Sequence, residues 1–268
     1  MIRVGCQTYT WEMLEEKFLG SIDTILDLVS EAGYEGIEIS NTMIDYYYDD
    51  PDKLKDALHT KNLVLAAFAY ASPHGFSNPS HRQEEMDGAL KAISFVRKFP
   101  RALLALGGGA SSDRTNYDEK ITNVIGFYRE IASICSNEGV RVTFHPHSHS
   151  GSLIDSEEEY DHVLQSTEGT LLGFNPDTGH ITRSGNDVMK LINKYIHRVI
   201  HVHMKDVDIK KRWQPMGKGT IGFRSLIHLL EHSGYDGWII CEEESKGAYE
   251  DQFNAIKTNR DYLKSLGY

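Results

Sequence analysis

The sequence predicts an α/β fold, a (β/α)8 TIM barrel formed as a single domain over residues 1–268. Short apolar runs alternate with longer segments of helical period from one end to the other, the pattern of repeated βα units around a parallel sheet. A length of 268 residues with 40% hydrophobic content suits one barrel with a sizeable core. No Ser/Pro-rich linker, low-complexity tract or block of like charge divides the chain.

The elements follow in order. The first strand runs from Arg3 to Thr8 and starts the chain directly, without the charged and apolar regions of a signal peptide. Ile22, Ile25, Leu26 and Val29 share one face of the helix after it, which closes at Gly33. Gly36 to Ile39, Val64 to Phe68 and Ala102 to Leu106 read as the second, third and fourth strands. A helix with Ile121, Val124, Ile125 and Tyr128 on one face ends at Gly139 and leads into the fifth strand, Arg141 to Phe144. Leu171 to Phe174 and Val199 to Val202 are the sixth and seventh, and Gly234 closes the helix before the eighth, Trp238 to Cys241.

Composition narrows the partners. A formal net charge of -11 without any Lys/Arg cluster argues against a nucleic-acid backbone. No apolar run approaches the roughly 20 residues of a membrane span. Cys6, Cys135 and Cys241 are odd in number and sit in apolar patterns, so they read as reduced thiols of a cytoplasmic protein.

The ends of strands five to eight carry the chemistry. In a parallel barrel they converge on one mouth, and here they deliver His145, Asp177, His203 and Glu242. Imidazole and carboxylate together suit one divalent ion, zinc, manganese, iron or cobalt. Alternation puts His201 and His203 on one face, with His203 nearer the mouth; Glu242 and Glu244 share a face, Glu244 as a candidate substrate contact, while Glu243 turns toward the helices. His145 is either a ligand or a free general base, since an imidazole titrates near neutrality. His180, three residues after Asp177, is a candidate to bond the substrate. Glu38 at the end of strand two is a candidate contact for sugar hydroxyls. His147 is assigned to the substrate region, Lys205 to an oxyanion, and Trp11, with Tyr9 and Phe68, to an apolar wall.

These residues resemble the xylose-isomerase-like TIM-barrel superfamily of sugar isomerases, epimerases and dehydratases. The likeness lies in Gly33-Tyr34-Glu35-Gly36-Ile37-Glu38-Ile39, Asp177-Thr178-Gly179-His180, His201-Val202-His203-Met204-Lys205-Asp206, Met216-Gly217-Lys218-Gly219, and Gly234-Tyr235-Asp236-Gly237-Trp238 leading to Glu242. The resemblance implies a divalent ion, manganese foremost, held by Glu, Asp, His and Glu, with the two glutamates also moving protons. Asp177, His203 and Glu242 match that set, but the strand-five glutamate is replaced by His145. Members similar to inosose dehydratases share the His-rich strand-five end. The implied reaction is proton abstraction next to a carbonyl of a keto sugar or cyclitol, through an enediolate, with His145, Glu242 and His180 as catalytic residues. Isomerisation or epimerisation is the leading expectation. Elimination from the same enediolate is the alternative, as in an inosose dehydratase or a subunit of a C-glycoside deglycosidase acting on 3-keto-glucosides. A homo-oligomer would favour the former, a small β-rich partner subunit the latter. An endonuclease IV-like role in DNA repair is disfavoured, because strands two and three end in Ile39-Ser40-Asn41 and Phe68-Ala69-Tyr70 rather than in histidines.

Overall fold

The computed structural model describes residues 2–268. Eight parallel strands form the barrel: β1 (Arg3–Gln7), β2 (Gly36–Ser40), β3 (Val64–Tyr70), β4 (Leu103–Gly107), β5 (Arg141–His145), β6 (Leu172–Phe174), β7 (Val202–Met204) and β8 (Trp238–Cys241). Their hydrogen-bonded order is β6-β5-β4-β3-β2-β1-β8-β7. Parallel bridges Phe174↔Val199 and Asp177↔His203 join β6 to β7 and close the ring. β2, β4 and β8 are buried along their whole length, as expected of strands covered on one side by helices and on the other by the barrel interior.

The helices form because their apolar spacing gives each a face to lay on the sheet. Ile22–Glu31 buries Ile22, Ile25, Leu26 and Val29 there. Tyr117–Glu138 buries Ile121, Val124, Tyr128 and Cys135, and stops where Gly139 turns to φ +67, a left-handed conformation that costs glycine little. Glu157–Ser166 starts on a reciprocal cap: Ser156 Oγ accepts from Glu159 N at 3.3 Å, and Glu159 Oε2 accepts from Ser156 N at 3.0 Å. Ala67, Leu103 and Ala105, with Ala69 and Ile200 packed against them, form a small buried cluster of their own. The three cysteines are free and buried. No helix among the described residues is long and apolar enough to cross a membrane.

Two features depart from the sequence reading. The seventh strand begins later than Val199, because Ile196–Arg198 forms a 3-10 turn, so His203 lies within β7 rather than beyond it. After β7 the chain makes a two-stranded antiparallel ribbon, Asp206–Val207 against Trp213–Gln214. The Met216-Gly217-Lys218-Gly219 motif is held under that ribbon. Asp206 Oδ2 accepts from Gly217 N and Gly219 N, both at 2.9 Å, and its Oδ1 accepts from Val207 N at 2.9 Å and Ile221 N at 3.2 Å. A Cβ on residue 219 would run into Asp206 Oδ1 and Val207 O, which is why glycine stands there.

Candidate metal centre

The pairing of the last strands decides which side chains meet. His203 N donates to Pro176 O at 3.0 Å and Glu242 N to Met204 O at 3.3 Å, which puts Asp177, His203 and Glu242 side by side at the mouth. With His145 at the end of β5 they form a buried set of four, each offering one donor atom within 4.8 Å of the others. His203 Nδ1 lies 2.8 Å from Glu242 Oε2, and His145 Nε2 lies 3.4 Å from Asp177 Oδ2. Donors about 2.1 Å from a shared ion would stand about 3.0 Å apart at a right angle and about 3.4 Å apart at a tetrahedral angle, so the spacing fits an ion.

Asp177 serves two ends at once. Its Oδ1 caps the helix Thr178–Arg183 by accepting from His180 N at 2.8 Å, and Oδ2 is left to face His145. Thr178 locks this turn to β7, its Oγ1 donating to Lys205 O at 2.8 Å. Gly179 is tight against Trp213 and Lys205, where a Cβ would come within 2.9 and 3.0 Å of them. The Asp-Thr-Gly-His motif is therefore a docking turn as well as a source of a donor.

Lys205, two residues past His203, is buried beside the set. Its Nζ lies 2.8 Å from Glu242 Oε1 and 3.8 Å from Asp177 Oδ2, and it also pairs with Glu244. The charges shape one another. Burial would raise Glu242, but Lys205 and His203 outweigh it and hold its carboxyl well below the usual range. Burial pushes Glu244 up to about 7; Lys205 pulls against this and the Glu242 charge adds to it. Burial would lower His203, yet Glu38 and Glu242 on either side raise it to about 10. His145, His147 and His180 are all lowered, first by burial and then by neighbouring His203, His145 and Lys205 respectively. His180 accepts the Ser148 N–H on Nδ1 at 3.0 Å, and its Nε2 lies 3.2 Å from Lys205 Nζ.

A cavity of about 390 Å³ opens at the mouth, lined by His145 and Glu242 of the four donors and large enough for a small polyol. His145, His147, His180, Glu242 and Glu244 line it, as the sequence places them. Two assignments are corrected. Glu38 is fully buried and bonds His201 Nε2 at 2.7 Å through Oε2, so its carboxylate lies beneath the donors and cannot reach a sugar hydroxyl. Trp11 is 1% exposed and Phe68 0%; both are core, and Tyr9 alone of that group lines the cavity. Glu243 turns to the C-terminal helix as expected, where Asn259 Nδ2 donates to it at 2.8 Å.

The sequence reading missed a polar rim opposite the histidines. Glu12 accepts from Ser40 Oγ and Thr42 Oγ1, both at 2.6 Å, and these three with Gln7, Asn41 and Arg183 line the cavity. Gln7 and Ser40 end β1 and β2, so the strand-end rule applied to strands one and two would have found them. Glu12, Thr42 and Arg183 come from loops and short helices that no period marks.

Comparison with known proteins agrees with the fold. A family model described as xylose isomerase-like TIM barrel matches residues 26–266. An inosose dehydratase of Clostridium beijerinckii is 24% identical over 296 aligned positions, covering 98% of this chain and 96% of its own. Among solved structures, an IolI protein with a bound zinc atom superposes with a TM-score of 0.82 at 15% identity, covering 99% of this chain and 98% of that one. A 3-keto-D-glucoside 4-epimerase from E. coli superposes at 0.78, also at 15% identity, covering 99% of each chain.

Proposed function

Because the chain belongs to the xylose isomerase-like TIM-barrel family, whose relatives here are sugar-modifying enzymes, we propose that it abstracts a proton next to the carbonyl of a keto sugar or cyclitol and expels the β-hydroxyl as water. His145, Asp177, His203 and Glu242 would hold one divalent ion, which would supply Lewis-acid polarisation of the ketone. Manganese is the family expectation. The imidazole of His145 in place of a carboxylate softens the donor set and extends the choice to zinc, cobalt and iron.

Glu244 moves the proton. A carboxyl near 7 is half ionised at neutral pH, matched to taking a proton and returning it. It takes the proton from the carbon next to the carbonyl, and the C–H electrons form the enolate. The enolate re-forms its C=O, a C=C bond is left between the α and β carbons, and the β-hydroxyl departs. Glu244 returns its proton to that hydroxyl, so water and an unsaturated ketone leave the site. Lys205 holds charge balance beside both glutamates, and its ammonium lies 3.2 Å from Nε2 of His180, the third group at the base.

Support comes from the asymmetry of the cavity. Glu244, Glu242 and His180 gather within 4.8 Å of one another, whereas His145, the residue β5 supplies, is assigned to the ion and so is not free to move a proton on the other face. Epimerisation needs a group on each face of the enolate; elimination on one face needs a single base.

The test is incubation of metal-loaded protein with inosose, and separately with a 3-keto hexose, in D2O, followed by ultraviolet absorbance and proton NMR. An unsaturated ketone, or the 1,2-diketone to which its enol tautomerises, appearing without inversion is the expected result. Deuterium uptake with inverted configuration and no elimination would make the protein an epimerase. Absence of both exchange and product across these ketones would overturn the reading.

A further inference from the structure

We infer that Glu38, anchored by His201, is a positioning residue that determines which nitrogen of His203 faces the ion; this rests on the metal centre proposed above. Glu38 sits on β2, across the barrel from β7, and a register shift between Ile37 and Glu38 opposite Leu65 and Ala67 sets its place along the strand. Its carboxylate is completely buried, and its ring partners are His203 of β7 and His201 just before that strand. Oε2 accepts from His201 Nε2 at 2.7 Å. Oε1 lies 3.0 Å from His203 Nε2, off the hydrogen-bond axis, so the attraction there is electrostatic.

A neutral imidazole carries one N–H, and an ionised carboxylate can only accept. Without an ion both ring nitrogens face carboxylates, Nδ1 bonding Glu242 Oε2 at 2.8 Å and Nε2 lying 3.0 Å from Glu38 Oε1; once an ion takes the Nδ1 lone pair, the one remaining ring proton belongs on Nε2, over Glu38. The opposite tautomer would set a lone pair against Glu38 Oε1 at 3.0 Å in a site without solvent, and would put an N–H where the ion must bind. His201 acts on the carboxylate: its bond to Oε2 holds Glu38 in the rotamer that brings Oε1 under His203. The pairing accounts for both histidines of His201-Val202-His203 on one strand face, one for the ion and one for its support.

Glu38→Gln tests this with little change of shape. A glutamine must present its N–H2 to one of the two rings, so at least one ring proton has to move. Cobalt(II) titration of wild type and variant, read by visible absorbance, should show the dissociation constant rising about 10- to 100-fold with an altered spectrum and unchanged circular dichroism. Equal affinity and an identical spectrum would overturn the inference. Should the variant not fold, two-bond proton–nitrogen NMR of zinc-loaded wild type decides it: His203 is expected to keep its proton on Nε2 with Nδ1 bound, and a proton on Nδ1 refutes the role of Glu38. A wild type that takes up no ion sinks the metal centre and this inference together, whereas ion binding unaffected by Glu38→Gln sinks only the latter.

Discussion

The ammonium of Lys205 stands 2.8 Å from Glu242 Oε1 and also pairs with Glu244, so one buried cation links a donor of the proposed ion to the proposed base. Lys205 is therefore expected to be needed for turnover and dispensable for the ion. In Lys205→Met the carboxylates lose their cation, which strengthens their pull on a metal and raises the Glu244 carboxyl further. The expected outcome is wild-type metal content with kcat lowered about 100-fold or more, as for loss of one stabilising charge. Metal analysis beside steady-state kinetics checks it; loss of the metal would show Lys205 acting on the site's assembly instead.

Stability should carry the mark of Glu244. Its folded carboxyl lies near 7 against 4.5 ordinarily, so the folded state binds its proton more tightly than the unfolded one. That contribution is full below about pH 4.5, is lost as pH rises toward 7, and then stays level. In metal-free protein, the melting temperature of Glu244→Gln minus that of wild type should therefore grow from pH 4.5 to 7 and flatten above. Parallel melting curves at every pH would contradict this.

The loop under the ribbon should be a stability site with no part in the chemistry. Asp206→Ala leaves four backbone N–H groups without their acceptor. At about 1 kcal/mol or more for each buried loss, the cost should exceed about 3 kcal/mol in urea unfolding. Gly219→Ala should destabilise by a similar mechanism, because its new Cβ displaces the same carboxylate.

Glu12 tests the polar rim. Its two hydroxyl partners, Ser40 and Thr42, point it at the cavity, away from the four donors. Glu12→Ala should raise KM several-fold while leaving kcat and metal content near wild type, the signature of binding energy shared equally by ground state and transition state. A fall in kcat with KM unchanged would place Glu12 in the chemistry.

The barrel and its mouth were legible in the sequence because both obey periodic rules. Strand ends converge whatever the loops do, so His145, Asp177, His203 and Glu242 could be named before any contact was known, and parity separated Glu243 from its neighbours. Glu38 was misplaced because the same rule says which end of a strand faces the mouth but not how deep a side chain lies. A bulge and two histidines across the barrel, 163 residues away in the case of His201, settle that depth. Trp11 failed for a related reason: it sits in a four-residue helix, Tyr9–Glu12, too short to show a period, and that turn buries Trp11 while presenting Tyr9 to the cavity. The ribbon after β7 escaped notice because its paired strands are two residues each.

The most direct measurement is metal content by elemental analysis of purified wild type beside Asp177→Ala, each after incubation with manganese, zinc, cobalt and iron and removal of free ion. About one ion per chain in the wild type, lost in Asp177→Ala, is the predicted result. A folded wild type that retains none of these ions would contradict the metal centre, and with it the chemistry assigned to this barrel.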